Sequence, residues 1–225
     1  MYGKRTRLVF SVLLFFTLIL LSISSPVSGT STDDCFMCHE GTGLIRADGS
    51  DAKGLHVDKK IFEASAHGQF DCTQCHQAAV LSGYEHAPKL SPVNCAQCHG
   101  ETSRQFGTSI HSPTVSKSDQ KLPTCESCHG THTISRTSEA EFKQRIAGRC
   151  GQCHEEALKT YFETYHGKVT RLGYEKTAKC PDCHGSHNIL PHSDPKSALS
   201  QANIVATCGQ CHPGSNKRFA GYLAH

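Results

Sequence analysis

All fourteen cysteines of this 225-residue chain fall in seven copies of one pattern, C-x-x-C-H. The copies are Cys35, Cys38 and His39; Cys72, Cys75 and His76; Cys95, Cys98 and His99; Cys125, Cys128 and His129; Cys150, Cys153 and His154; Cys180, Cys183 and His184; and Cys208, Cys211 and His212. Nothing else in the chain restricts the fold as much, because each copy commits two thiols and an imidazole to one short turn. Disulfide frameworks, structural zinc sites and redox C-x-x-C pairs all use spaced cysteines, but none of them requires a histidine directly after the second cysteine. Sixteen histidines spread at random would complete all seven motifs about once in 10⁸.

C-x-x-C-H is the attachment signature of c-type haem, in which both thiols bond the macrocycle and the histidine binds its iron. The expectation is seven covalently bound c-type haems, with His39, His76, His99, His129, His154, His184 and His212 as proximal iron ligands. Seven macrocycles over residues 30–225 leave very little polypeptide for each. This part of the chain also has no Trp and few long apolar runs. A chain so poor in core material needs staples or cofactors. The expected fold is therefore mainly α and irregular, with short helices and loops wrapped around a haem-packed core and few or no strands.

The motifs are organised by an internal repeat. Residues 95–134 and 150–189 align without gaps, matching Cys95 to Cys150, Phe106 to Tyr161, His111 to His166, Cys125 to Cys180 and His132 to His187. Each unit carries an A-type motif, then an aromatic residue followed by a histidine, then a B-type motif in the form C-H-G-x-H. A half-unit starts at Cys208, with Phe219 at the aromatic position and His225 behind it. A looser first unit has His67 in "FEASAHG", which echoes "YFETYHG" around His166, and Ala79 where the C-H-G-x-H histidine would stand.

Nine histidines lie outside the motifs. His67, His111, His166 and His225 form the aromatic–His class, and His132 and His187 the C-H-G-x-H class. His86 is the nearest candidate for the remaining B-type slot, with His56 behind it; His192 reads as a solvated loop residue. The seven candidates, His67, His86, His111, His132, His166, His187 and His225, match the motif count as distal iron ligands. Three residues along a helix rise only about 4.5 Å, so His187 cannot reach the far face of a haem already held by His184. Its expected use is on a neighbouring haem. Methionine ligation raises haem potential, but Met1 and Met37 are the only methionines and neither is placed for it. Bis-histidine, low-potential iron is the expectation.

Lys4, Arg5 and Arg7, the apolar run at 8–24 and the small residues at 25–30 read as an export signal over 1–29, or as an N-terminal anchor. No later apolar run is long enough to span a membrane. Beyond position 29, lysine plus arginine balance aspartate plus glutamate at 20 each, and no basic stripe marks a nucleic-acid partner. Locally, Ser138 to Glu141 reads as a capping box opening a helix with Phe142 and Ile146 on one face. Residues 155–166 read as helical, with Leu158, Tyr161, Phe162 and Tyr165 inward, and 190–203 as a loop.

The motif-bearing region resembles the multihaem cytochrome c superfamily of anaerobic respiration. Residues 180–225 resemble in particular the exported multihaem part of proteins fused to, or partnered with, a membrane b-type cytochrome. The resemblance implies a periplasmic electron carrier between a membrane quinol-linked donor, such as a quinol dehydrogenase, and a terminal reductase or outer-membrane conduit. Membrane association would run through the N-terminus or the partner. Two other readings stay open: a multihaem reductase of a nitrogen or sulfur oxyanion with one open iron, and a subunit of a polymerised haem wire.

Overall fold

The computed structural model describes residues 31–41, 43–46, 49–50, 54–79, 86–87 and 89–221; the expected export signal at 1–29 and His225 lie outside them. Among the described residues the chain forms eleven short α-helices joined by turns, and a single bridge residue, Ile45, is the only trace of extended pairing. The helices are α1 (Thr32–His39), α2 (Lys59–Ala64), α3 (Cys72–Cys75), α4 (Gly100–Gly107), α5 (Cys125–His129), α6 (Ala140–Gly151), α7 (Glu155–Glu163), α8 (Tyr165–Arg171), α9 (Cys180–His184), α10 (Ile204–Gly209) and α11 (Lys217–Ala220). A 3-10 turn covers Cys95–Gln97. The expectation of short helices and loops with essentially no strands holds, and residues 190–203 form turns as expected. No helix among the described residues is long and apolar enough to cross a membrane.

The two motif types adopt different local structures. Each B-type motif opens its own helix, α3, α5 or α9. There the second variable residue of C-x-x-C reaches back to the backbone N–H just before the first cysteine. Gln74 Oε1 accepts from Asp71 at 2.8 Å, Ser127 Oγ from Thr124 at 3.0 Å and the Asp182 carboxylate from Lys179 at 2.8 Å. This is one half of a capping box. In the A-type motifs of the later units the histidine stands instead at a helix start: His99 is the N-cap of α4 and His154 of α7. In both types the histidine N–H donates to the carbonyl of the first cysteine. The distance is 2.8 Å for His76, 2.9 Å for His99, 3.0 Å for His154 and 2.9 Å for His212. One turn thus gathers two thiols and an imidazole.

Apolar packing is sparse. Among the described residues the buried hydrophobic side chains are Phe36, Ala79, Ala147 and Tyr161. The ion pairs do not compensate, since all those described except Lys59–Asp33, whose lysine is half-buried, join exposed side chains, where each contributes at most about 1 kcal/mol.

Two local expectations are corrected. α6 starts at Ala140 with Glu139 as its N-cap and no side-chain cap bond, so Ser138 does not close a capping box; Phe142 and Ile146 do share its half-buried face. The helix expected over 155–166 breaks at Thr164, whose extended backbone (ψ 167°) ends α7 and whose hydroxyl accepts from Gly167 N–H to start α8. The break changes the helical phase. Tyr161 is buried as expected, with Leu158 and Phe162 half-buried, but Tyr165 is 87% exposed.

Candidate functional site

The spare histidines find the motif histidines. His39 faces His86 with ring centroids 6.0 Å apart, His99 faces His67 at 5.9 Å and His76 faces His132 at 5.9 Å. His154 faces His111 at 5.9 Å, His129 faces His187 at 6.0 Å and His212 faces His166 at 6.0 Å. Each pair joins one C-x-x-C-H histidine to one histidine singled out from the sequence. The remaining motif histidine is His184; the remaining candidate, His225, lies outside the described residues. His56 and His192 are exposed.

Aromatic rings in ordinary contact have centroids anywhere between about 4.5 and 7 Å, and the Phe and Tyr contacts here spread accordingly, from 5.0 Å for His212–Phe219 to 6.4 Å for Phe62–His132. The six histidine pairs hold 5.9–6.0 Å while their interplanar angles run from 11° to 47°. A fixed gap at variable tilt is what one ion bonded by both rings would impose. Two imidazole–metal bonds of roughly 2 Å each, plus about 1 Å from each nitrogen to its ring centre, give about 6 Å.

Several rings are also set up as ligands. The Nδ1 of His39 lies 2.8 Å from the Leu55 carbonyl and that of His86 lies 2.9 Å from the Ala87 carbonyl. A carbonyl partner puts the proton on Nδ1 and leaves Nε2 free to bind a metal. Burial lowers the pKa of His76, His111, His129, His132 and His166, favouring the neutral, ligating form.

The cysteines form no disulfide among the described residues. All fourteen are free, none is buried, and among the described residues no three His, Cys, Asp or Glu side chains converge on one point. Free cysteine is usually among the most buried residue types, so eight exposed and six half-buried cysteines suit attachment points covered by another group. The thiols also meet in a regular order. The first cysteines of each A–B pair are neighbours, with Cys72 raising the thiol pKa of Cys35, Cys125 that of Cys95 and Cys180 that of Cys150. Neighbouring A–B pairs also meet through thiols, with Cys75 near Cys98, Cys128 near Cys150 and Cys153, and Cys183 near Cys208 and Cys211. Burial and Cys72 push the Cys35 thiol up to about 11, whereas hydrogen bonding to Cys150 draws Cys180 down to about 7.

The pairing follows a rule of exchange between units. His67 and His111 serve the A-type motif of the following unit, and His166 that of the half-unit. His132 and His187 serve the B-type motif of the preceding unit. His187 thus faces His129 and not His184, as the short helical rise requires. The exception is His86. It was the nearest candidate for a B-type slot, but it faces the first A-type motif, because His132 already occupies the B-type position at His76. Gly130 and Gly185, at φ 79° and 83°, end α5 and α9 in the left-handed region. Glycine adopts that region freely, and the turn separates the second histidine of C-H-G-x-H from the first.

A second set of residues escaped the sequence reading. A serine or threonine stands two places before three candidate ligands: Ser65 before His67, Ser109 before His111 and Thr164 before His166. Ser65 and Ser109 hydroxyls accept from the backbone N–H of their histidine at 3.2 Å. The unit-to-unit tie recurs beside them, since Ala66 N–H donates to Ile134 at 2.7 Å and Ile110 N–H to Ile189 at 2.9 Å. The recurring Ser/Thr-x-His was visible in the repeat and is an ST-turn signal. Ser109 is fully buried and also donates to the Ile189 carbonyl at 3.2 Å. Ser109→Ala should therefore cost about 1–3 kcal/mol, seen as a lower denaturant midpoint, while the exposed Thr108→Val changes it by less.

No family model, no curated protein and no solved structure matches the chain.

Proposed function

We propose that this chain is an exported electron carrier holding seven covalent c-type haems, each iron bound by two histidines. The observation that carries the reading is the one-to-one set of histidine pairs at constant 5.9–6.0 Å. The cysteines of each motif would hold the macrocycle by thioether bonds, and the motif histidine and its partner would bind its iron axially. The haem supplies the one-electron chemistry; the protein supplies position, ligation and electrostatics.

The thiol contacts support a further step. They link the motifs in chain order from Cys35 to Cys211, so electrons would pass from haem to haem in the order of the sequence. An iron held by two histidines in this way would have no place for substrate, which favours carriage over catalysis. A membrane quinol-linked donor and a periplasmic or outer-membrane acceptor are the partners this reading requires.

The test combines intact mass with low-temperature EPR of the oxidised protein. The expected result is a mass increase equal to seven haems, with only low-spin ferric signals. A stoichiometric high-spin iron that shifts on adding nitrite would instead make the protein a reductase, and a chain without covalent haem would end the proposal.

A further inference from the structure

The two gap-free repeat units differ at one buried charge. Lys179, directly before Cys180, is 3% exposed, whereas the equivalent position before Cys125 is Thr124. Its ammonium donates to the carbonyls of Glu175 and Thr177, both at 2.8 Å. An ammonium has three protons to donate, and among the described residues no carboxylate lies within ion-pair distance of this one. Asp182 is committed to the Lys179 backbone N–H. Beyond ion-pair distance the Asp182 and Glu175 carboxylates attract the ammonium and Lys143, on the facing helix α6, repels it. Burying an unpaired ammonium costs several kcal/mol, so an anion is called for here.

A second observation points to the same place. The Thr177 hydroxyl is buried with no hydrogen-bond partner, which costs about 1–3 kcal/mol if nothing offsets it. The position is held firmly: Tyr161 Oη donates to the Ala178 carbonyl at 2.9 Å, and Gln144 Nε2 donates to the Gly173 carbonyl at 3.0 Å. A buried cation with a proton to spare and a buried hydroxyl without a partner, on one short loop, match the two oxygens of a carboxylate.

We propose that Lys179 and Thr177 anchor a propionate of the haem carried by Cys180 and Cys183, and that the Lys179 charge holds that haem's potential above that of its repeat counterpart at Cys125. The inference rests on the haem reading above. A fixed positive charge beside an iron disfavours the oxidised, more positive state, so its removal lowers the potential. Lys179 is a positioning and tuning residue and binds no iron.

The test is a potentiometric titration of Lys179→Met, Lys179→Arg and Thr177→Val, each first shown by mass to carry seven haems. In Lys179→Met one of the seven components should move to lower potential. Lys179→Arg, which keeps the charge, should leave it near the wild-type value, and Thr177→Val should move it the same way by a smaller amount. A purely structural lysine would lower thermal stability and leave every component in place. Superimposable titrations of the wild type and both uncharged variants would overturn the inference. If Lys179→Met fails to mature, Thr177→Val decides on the same criterion. A wild type without covalent haem would remove the haem reading itself, whereas a seven-haem wild type with unshifted variants removes only this assignment.

Discussion

On the haem ligation proposed above, replacing His187 with alanine should open the iron of the motif at 125–129 and leave that of its own motif at 180–184 unchanged. The expected signature is one equivalent of high-spin ferric haem per chain, which binds added imidazole and returns to low spin. The prediction follows from the pairing of His187 with His129 at 6.0 Å and 20°, and from the short rise between His184 and His187. The assignment can be checked by combining variants. Adding Cys125→Ala and Cys128→Ala should abolish the high-spin signal, whereas adding Cys180→Ala and Cys183→Ala should leave it. The reverse pattern would show that the exchange of histidines between units is wrong. By the same logic, His132→Ala should open the iron at 72–76 and His67→Ala that at 95–99.

The chain without haem should not fold. Four buried hydrophobic side chains among the described residues cannot offset the conformational entropy of so long a chain, which is about 1–2 kcal/mol per residue for the backbone alone. Exposed ion pairs add little. When a bound group supplies the core, its binding free energy becomes folding free energy, as in small metal-dependent domains. The chain made in a host without haem-attachment machinery should show a coil-like far-UV circular dichroism spectrum, no cooperative thermal transition and rapid proteolysis. The haem-loaded protein should resist all three. A cooperative unfolding transition in the haem-free chain would show that the polypeptide has a core of its own.

How much of this was legible in the sequence differs from residue to residue. C-x-x-C-H is a local pattern, so all seven motif positions are plain in the sequence, and the structure sets six of their histidines against candidates named there. The repeat made His67, His111, His132, His166 and His187 legible as a set, because identical spacing in two units implies an identical task. It did not show that His86 serves the first A-type motif, since that depends on an offset between units that no local pattern encodes. The break at Thr164 was missed for a related reason. The 155–166 stretch has helical periodicity throughout, and the interruption comes from a hydroxyl that caps the next helix. Ser138 failed as a cap because Glu139 takes that place in extended conformation. Lys179 was invisible because a lysine in a sequence reads as a solvated charge until its burial is seen.

The exchange of histidines has a consequence for how such a chain can change its length. Excision of residues 95–149 would remove a whole 55-residue period. It would place His67 in register with the motif at Cys150, and His187 in register with the one at Cys72. Every remaining iron would still meet a histidine of the class it met before. A cut that removed only one motif of a unit would leave a histidine of the neighbouring unit without the partner it faces. A change of length that keeps every pairing within the repeat thus adds or removes two motifs at a time, and only the first motif, faced by His86 from outside the repeat, stands apart from that arithmetic.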